Sequence, residues 1–108
     1  MQEAQTSGSE AVVKVERDIE VRNAQGLHAR PAMQLVDLAN GFASTISLRR
    51  DGLDGKPPTV ADAKSVMAVI TLAATRGTVL HLSAQGPDAE RAADEIANLF
   101  FSGFGEDE

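Results

Sequence analysis

The chain contains no cysteine, no tryptophan and no tyrosine. Without cysteine it can build neither a disulfide framework nor a thiolate site, which fits a cytoplasmic protein. Its only aromatics are four phenylalanines, three of them at Phe100, Phe101 and Phe104, so a stacking platform for nucleobases is missing. Positive charge is scarce as well: 10 Lys and Arg stand against 16 Asp and Glu, a net charge of −6. Nucleic-acid binding needs a basic surface to neutralise phosphates, and this balance excludes it. No apolar run approaches the ~20 residues of a membrane-spanning helix, so no membrane insertion is expected. Residues 1–10 are polar and begin acidic, unlike a secretory signal. His28 and His81 are the only histidines, and no cluster has metal-ligand spacing; no metal and no cofactor are expected.

What is present is 108 residues that are 43% hydrophobic, enough for one core at the ~100–150 residues of a typical domain. Residues 1–12, rich in Gln, Ser, Gly and Glu, are expected to be a disordered polar extension. Residues 13–102 form the domain, and 103–108 a short acidic tail.

Within the domain, Val13, Val15, Ile19 and Val21 alternate with Lys14, Glu16, Asp18 and Glu20. A period of two predicts a half-buried strand over 15–22. Asn23 to Gly26 reads as a turn. Pro31 marks a helix entry, because proline is tolerated only in a helix's first turn. Ala32, Leu35, Val36 and Ala39 supply the core stripe of that helix. Asn40-Gly41 should end it with residues that accept positive φ, and Phe42 should fold back over it. Strands are predicted over 44–49, with Ile46 and Leu48 inward, and over 59–62, separated by a long turn with two Asp-Gly pairs. Residues 65–72 suit a strand or a short helix by periodicity, and their Ala and Met content favours helix. A strand over 78–84 places Leu80 and Leu82 on one face and Val79, His81 and Ser83 on the other. His81 reads as a structural residue, inward or at an edge. Gly86-Pro87-Asp88 opens a last helix that buries Ala89, Ala92, Ala93, Ile96, Leu99 and Phe100. The order β-α-β-β-α-β-α predicts an α+β fold: a four-stranded antiparallel sheet with three helices on one face.

The chemistry concentrates at Gly26-Leu27-His28-Ala29-Arg30-Pro31-Ala32. A helix N-terminus leaves amide N–H groups unpaired and carries roughly half a positive charge, so anions settle there. His28 sits at that mouth, and a neutral imidazole nitrogen is a competent nucleophile. Arg30 adds a cation with a planar fork for phosphoryl oxygens. Phosphoryl transfer asks for little beyond positioning and charge stabilisation. Ser65, read alone, is a helix cap.

This stretch resembles the active-site signature of HPr, the histidine-containing phosphocarrier of the bacterial sugar phosphotransferase system. Ala63-Lys64-Ser65-Val66-Met67 resembles the family's second signature, around a regulatory serine, and Gly77-Thr78-Val79 and Ser83-Ala84-Gln85-Gly86 fit its last strand. The resemblance covers about residues 15–101. It implies an open-faced β-sandwich and a helix after Ser65. It further implies that His28 accepts a phosphoryl group on Nδ1 from phospho-Enzyme I and passes it to IIA domains of sugar permeases, with Arg30 stabilising the phosphate. Ser65 would be the target of an HPr kinase/phosphorylase. Ala29, Met33, Val66, Met67 and Ile70 would form an apolar docking patch on a protein that is usually monomeric. A regulatory paralogue, of a nitrogen-type or signalling branch, would use the same His28 without moving sugar. Several positions depart from the family's pattern. Asp37, Asn40 and Ala68 stand where lysines are common, Ala73 replaces a common glycine, and the 51–58 turn is about six residues longer than usual.

Overall fold

In a computed structural model, which describes residues 13–106, seven elements follow one another. They are β1 (Lys14–Glu20), α1 (Ala29–Ala39), β2 (Thr45–Arg50), β3 (Thr59–Asp62), α2 (Val66–Thr71), β4 (Val79–Gln85) and α3 (Ala89–Phe101), after which Gly103–Gly105 makes one 3-10 turn. The disorder expected over 1–12 lies outside the described residues. The strands form one sheet in the order β1-β4-β2-β3, every pair antiparallel. The predicted order and class hold.

Strand alternation decides which face is covered. Ile19, Ile46, Leu48, Ala61, Leu80, Leu82 and Ala84 share the buried face. The helices close over it with Ala32, Leu35, Val36 and Ala39 of α1, Val69 of α2, and Ala92, Ala93, Ile96 and Phe100 of α3. No described helix covers the opposite face, where Glu16, Ser83, Ser47 and Asp62 lie in one cross-strand row. Each fully buried Leu or Ile stabilises by about 1.5–3 kcal/mol. The bonds from Arg17 of β1 to Asp94 (2.7 Å) and Glu90 (3.4 Å) of α3 are exposed pairs, worth about 0–1 kcal/mol. Packing, not charge, therefore holds the helices down. No described helix is long and apolar enough to cross a membrane.

Element ends differ from the sequence expectation for local reasons. Strand β1 stops at Glu20 because Val79, its partner there, is the first residue of β4; Val21 instead bonds Thr78 and Gly77 through turn-like backbone contacts. Strand β2 starts at Thr45 because Ser44 is claimed by Asp88, which accepts both its amide (2.9 Å) and its hydroxyl (2.6 Å). Helix α1 ends without a left-handed residue. Asn40 has φ −70, its amide and side-chain nitrogens both donate to the Val36 carbonyl, and Gly41 and Phe42 donate to Leu38 and Ala39. This 3-10-like tightening satisfies the last carbonyls without a positive φ. Phe42 is buried as expected, whereas Leu99 is only half-buried.

His81 is neither inward nor at an edge, since β4 lies between β1 and β2. It stands on the open face, pairing across the sheet with Asp18 and Arg49. Its Nδ1 lies 2.6 Å from Asp18 and its Nε2 3.1 Å from Asp51. These two carboxylates, Asp18 foremost, raise its pKa above the usual imidazole value. The 51–58 turn is thereby tied to the sheet through Asp51, while Asp54 and Gly55 take positive φ, as an Asp-Gly turn does.

Two positions lead to stability predictions. Ala73, directly after α2, is exposed and held at φ 51, a left-handed conformation that costs an L-residue about 1–2 kcal/mol and a glycine almost nothing. Ala73→Gly should therefore stabilise the protein by about 0.5–1 kcal/mol, net of the entropy a glycine adds to the unfolded chain; denaturant midpoints measure this. Asp88 accepts hydrogen bonds from the Ser44 hydroxyl and from the Ala43 and Ser44 amides, which hold its carboxyl at about 2 against an ordinary 3.8. A carboxyl lowered on folding contributes stability above its unfolded pKa and loses it as pH falls through the folded one. Asp88→Asn should thus melt below the wild type at neutral pH, with the gap closing between about pH 4 and pH 2. Thermal melts across that range check this, and a gap independent of pH would contradict it.

Candidate functional site

The site is assembled from the β1–α1 loop upward. Gly26 has φ +73, and a Cβ there would stand 2.5 Å from the Ala74 carbonyl oxygen; only glycine meets both demands. Next to it, the buried Leu27 donates its amide to that same carbonyl at 2.9 Å. The loop is thus pinned to the segment after α2. His28 follows as the N-cap of α1, in extended conformation, its carbonyl accepting the Ala32 amide at 3.0 Å.

An imidazole in this position makes no capping bond. The Ala29 and Arg30 amides have no acceptor among the described residues, and Pro31 has no N–H to offer. No acidic residue occupies the first turn. The helix mouth therefore presents two unpaired donors and its partial positive charge beside a ring whose side chain is 42% exposed. Among the described residues Nδ1 has no partner, and neither does the Arg30 guanidinium. His28 and Arg30 line one open hollow of about 600 Å³ with Gln25, Gln34, Phe104, Gly105 and Glu106.

The last three of those residues fall in the stretch read from sequence as an acidic tail. Residues 103–106 instead pack onto the domain; 107 and 108 lie outside the described residues. Phe104 is buried edge-on against Phe100, ring centroids 4.9 Å apart at 64°, and burying an aromatic ring is reason enough for the chain to turn back. Glu106 consequently reaches the site, with Oε2 3.3 Å from His28 Nε2. Its Oε1 accepts from Asn23 Nδ2 at 3.2 Å, and the same Nδ2 donates to the Gly26 carbonyl at 2.8 Å. Asn23 is fully buried. Sequence reasoning missed Asn23, Phe104 and Glu106. A signal for Phe104 was present: a phenylalanine between two glycines in an otherwise polar end.

The second signature lies on α2. Ser65 is its N-cap, and its Oγ accepts the Ala68 amide at 3.2 Å. The neighbouring Lys64 ties this helix start to the end of α1 by donating to the Phe42 carbonyl at 2.8 Å. Helices α1 and α2 are packed side by side. Of the apolar set predicted for docking, Met33 is 55% exposed, Met67 73% and Ile70 37%, and Ala29 is also exposed. Val66 is half-buried against the core, so it contributes less surface than the sequence suggests. Among the described residues no three His, Cys, Asp or Glu side chains gather as metal ligands.

Comparison with known proteins places these features in context. A family model described as "PTS HPr component phosphorylation site" matches residues 15–102. The chain is 42% identical over 92 residues to the phosphocarrier protein NPr of Proteus mirabilis, covering 84% of this chain and 96% of that one. It is 38% identical over 94 residues to the phosphocarrier protein HPr of Cupriavidus necator, covering 87% and 99%. A crystal structure of HPr from Thermoanaerobacter tengcongensis superposes with a TM-score of 0.75 at 39% identity, over 87% of this chain and 99% of that one.

Proposed function

The chain belongs to the HPr family, phosphocarriers of the phosphotransferase system, and from that premise we propose that His28 is its phosphoryl acceptor, charged by phospho-Enzyme I. The observation that carries this reading is the helix mouth. A half-exposed imidazole stands beside two helix-end amides and the Arg30 guanidinium, and among the described residues its Nδ1, those amides and that guanidinium have no partner. The Nδ1 lone pair attacks phosphorus, and the donor–phosphorus bond breaks with its electrons remaining on the donor. The helix-end amides and Arg30 take up charge on the phosphoryl oxygens. A P–N bond is labile, so the group passes on when an acceptor docks. Enzyme I and the acceptor would meet the exposed Met33, Met67 and Ile70 beside the site, in the cytoplasm.

For onward transfer we propose a IIA domain. Two destinations differ: the IIA domain of a sugar permease, or a IIA-type regulatory protein in a branch that signals without moving sugar. The name NPr carried by a 42%-identical relative supports the regulatory branch. Offering the labelled protein both kinds of acceptor separates them by rate.

Ser65 is the proposed regulatory site. Phosphoserine adds about −1.5 to −2 charges, and a charged rim beside an apolar docking patch weakens association with an acidic partner.

Two tests follow. Incubated with phosphoenolpyruvate and Enzyme I, the wild type should take up one acid-labile phosphate. His28→Ala should take up none while keeping its circular dichroism, since surface substitutions change stability by less than ~0.5 kcal/mol. Arg30→Ala should still label, roughly tenfold more slowly, the loss of one charge-assisted contact. A labelled His28→Ala would overturn the assignment. Ser65→Asp, which preserves an N-cap residue, should accept phosphate severalfold more slowly; a rate equal to the wild type's would remove Ser65 from regulation.

A further inference from the structure

The polar chain behind His28 has a direction. The Gly26 carbonyl can only accept a hydrogen bond, and so can a carboxylate. Asn23 lies between the two, 2.8 Å from Gly26 O and 3.2 Å from Glu106 Oε1, and faces both with Nδ2. Turning the amide over would set its oxygen against two acceptors, so its orientation is fixed even though Oδ1 is left without a partner among the described residues. Glu106 is thereby held by one oxygen and offers the other to His28 Nε2 at 3.3 Å. The side chain is only 19% exposed, so water competes weakly for it. Two residues before Glu106, Phe104 is buried against Phe100 and keeps the turn in place.

We infer that Glu106 is a positioning residue: it holds the His28 ring in the tautomer protonated on Nε2 and so presents the Nδ1 lone pair to the incoming phosphoryl group. This rests on the reading of His28 as phosphoryl acceptor. Glu106 Oε2 stands 3.3 Å from Nε2, at ion-pair distance, and the charge of an acceptor-only group beside that nitrogen favours the proton there. The same contact acts after transfer. Nδ1 then bears the phosphoryl group, Nε2 keeps its proton, and the ring is cationic with a carboxylate beside it. When the group leaves, the P–N electrons return to Nδ1 and a neutral ring is restored, with no proton moved.

The relay gives an unusual order of variant effects. In Glu106→Gln the amide oxygen must still face Asn23 Nδ2, so the new NH2 group points at His28 Nε2. Nε2 is then asked to accept, and the proton is driven onto Nδ1. The isosteric variant should therefore do more harm than truncation. In full-length protein labelled with nitrogen-15, at about pH 9 where an ordinary imidazole is neutral, the wild-type ring should give the Nε2–H signature. Glu106→Ala should give a mixture and Glu106→Gln mainly Nδ1–H. With phosphoenolpyruvate and Enzyme I, the turnover rate should fall about threefold in Glu106→Ala and tenfold or more in Glu106→Gln, at unchanged KM, as expected when a nucleophile's imidazole is held in the wrong tautomer. Phe104→Ala, which releases the turn, should match Glu106→Ala. A wild-type ring protonated on Nδ1, or a Glu106→Gln variant with wild-type tautomer and rate, would overturn the inference. So would equal slowing in Gln and Ala variants with Nε2–H retained in both. These spectra are read on unphosphorylated protein, so their failure is distinct from a failure to label His28.

Discussion

The hydrogen bond from the Leu27 amide to the Ala74 carbonyl, 2.9 Å long, is the constraint on which the site depends. It joins two loops far apart in sequence, one leading into α1 and the other out of α2. The bond can form only because Gly26 lets the backbones approach, a Cβ there being 2.5 Å from the same oxygen. Leu27 secures the contact by burying its side chain, which adds about 1.5–3 kcal/mol to a bond worth about 1 on its own. With residues 26 and 27 fixed, the start of α1 and the position of His28 are no longer free. Ala73 stands one residue from the accepting carbonyl and carries positive φ without being glycine. Backbone strain thus sits beside the anchor of the site, where surrounding contacts hold it.

A net charge of −6 and the proposed anion-handling site are compatible because the charge is distributed unevenly. Strand alternation sends Glu16, Asp18 and Glu20 of β1 to the open face and sets Asp18 and Asp51 around His81 there. Glu90 and Asp94 on α3 meet Arg17. The first turn of α1 has no acid at all. Beyond about 8–10 Å, exposed charges are largely screened at physiological salt, so a phosphoryl group at the helix mouth responds mainly to the local amides and to Arg30. The carboxylate that does approach, Glu106, lies at Nε2 on the ring edge away from Nδ1, where a negative charge favours the phosphorylated cation.

How much of this was legible in the sequence varied with the range of the interaction. Elements set by period, such as the Ile46/Leu48 and Leu80/Leu82 strands and the α1 stripe, were legible throughout, because alternation and helical spacing are local. Element ends were not, since they depend on partners elsewhere: β1 ends where β4 begins, and Ser44 is withdrawn from β2 by Asp88. The helix entry that places His28 and Arg30 could be read, because its own proline and glycine mark it. Glu106 could not, since its place is set by Phe104 packing on Phe100 and by a buried asparagine more than eighty residues earlier. The reading of His81 as inward or at an edge failed for a related reason. Its own strand shows that it opposes Leu80 and Leu82, but only the sheet shows which face is open and that two acids flank it.

His28 and Ser65 occupy the same structural position, the N-cap of a helix, and differ in what they do to the amides beyond. A serine oxygen sits one bond from Cβ and folds back to accept from the third residue on, as Ser65 does with Ala68. In α2 that gives the Ala68 amide an acceptor, while the Val66 and Met67 amides have none among the described residues. In α1 the third residue on is Pro31, which has no N–H to cap, and the Ala29 and Arg30 amides have no acceptor among the described residues; an external phosphoryl group could use them. A phosphate on Ser65 would meet the Ala68 cap bond and the Val66 and Met67 amides of its own helix start, adding charge to the surface at an end that tolerates it. In chemical terms, then, the two caps differ at the third residue: an amide that the serine oxygen engages in α2, and a proline with no donor in α1. On the proposed reading, the first signature would hold and release a group on the histidine, and the second would add charge that a docking partner meets.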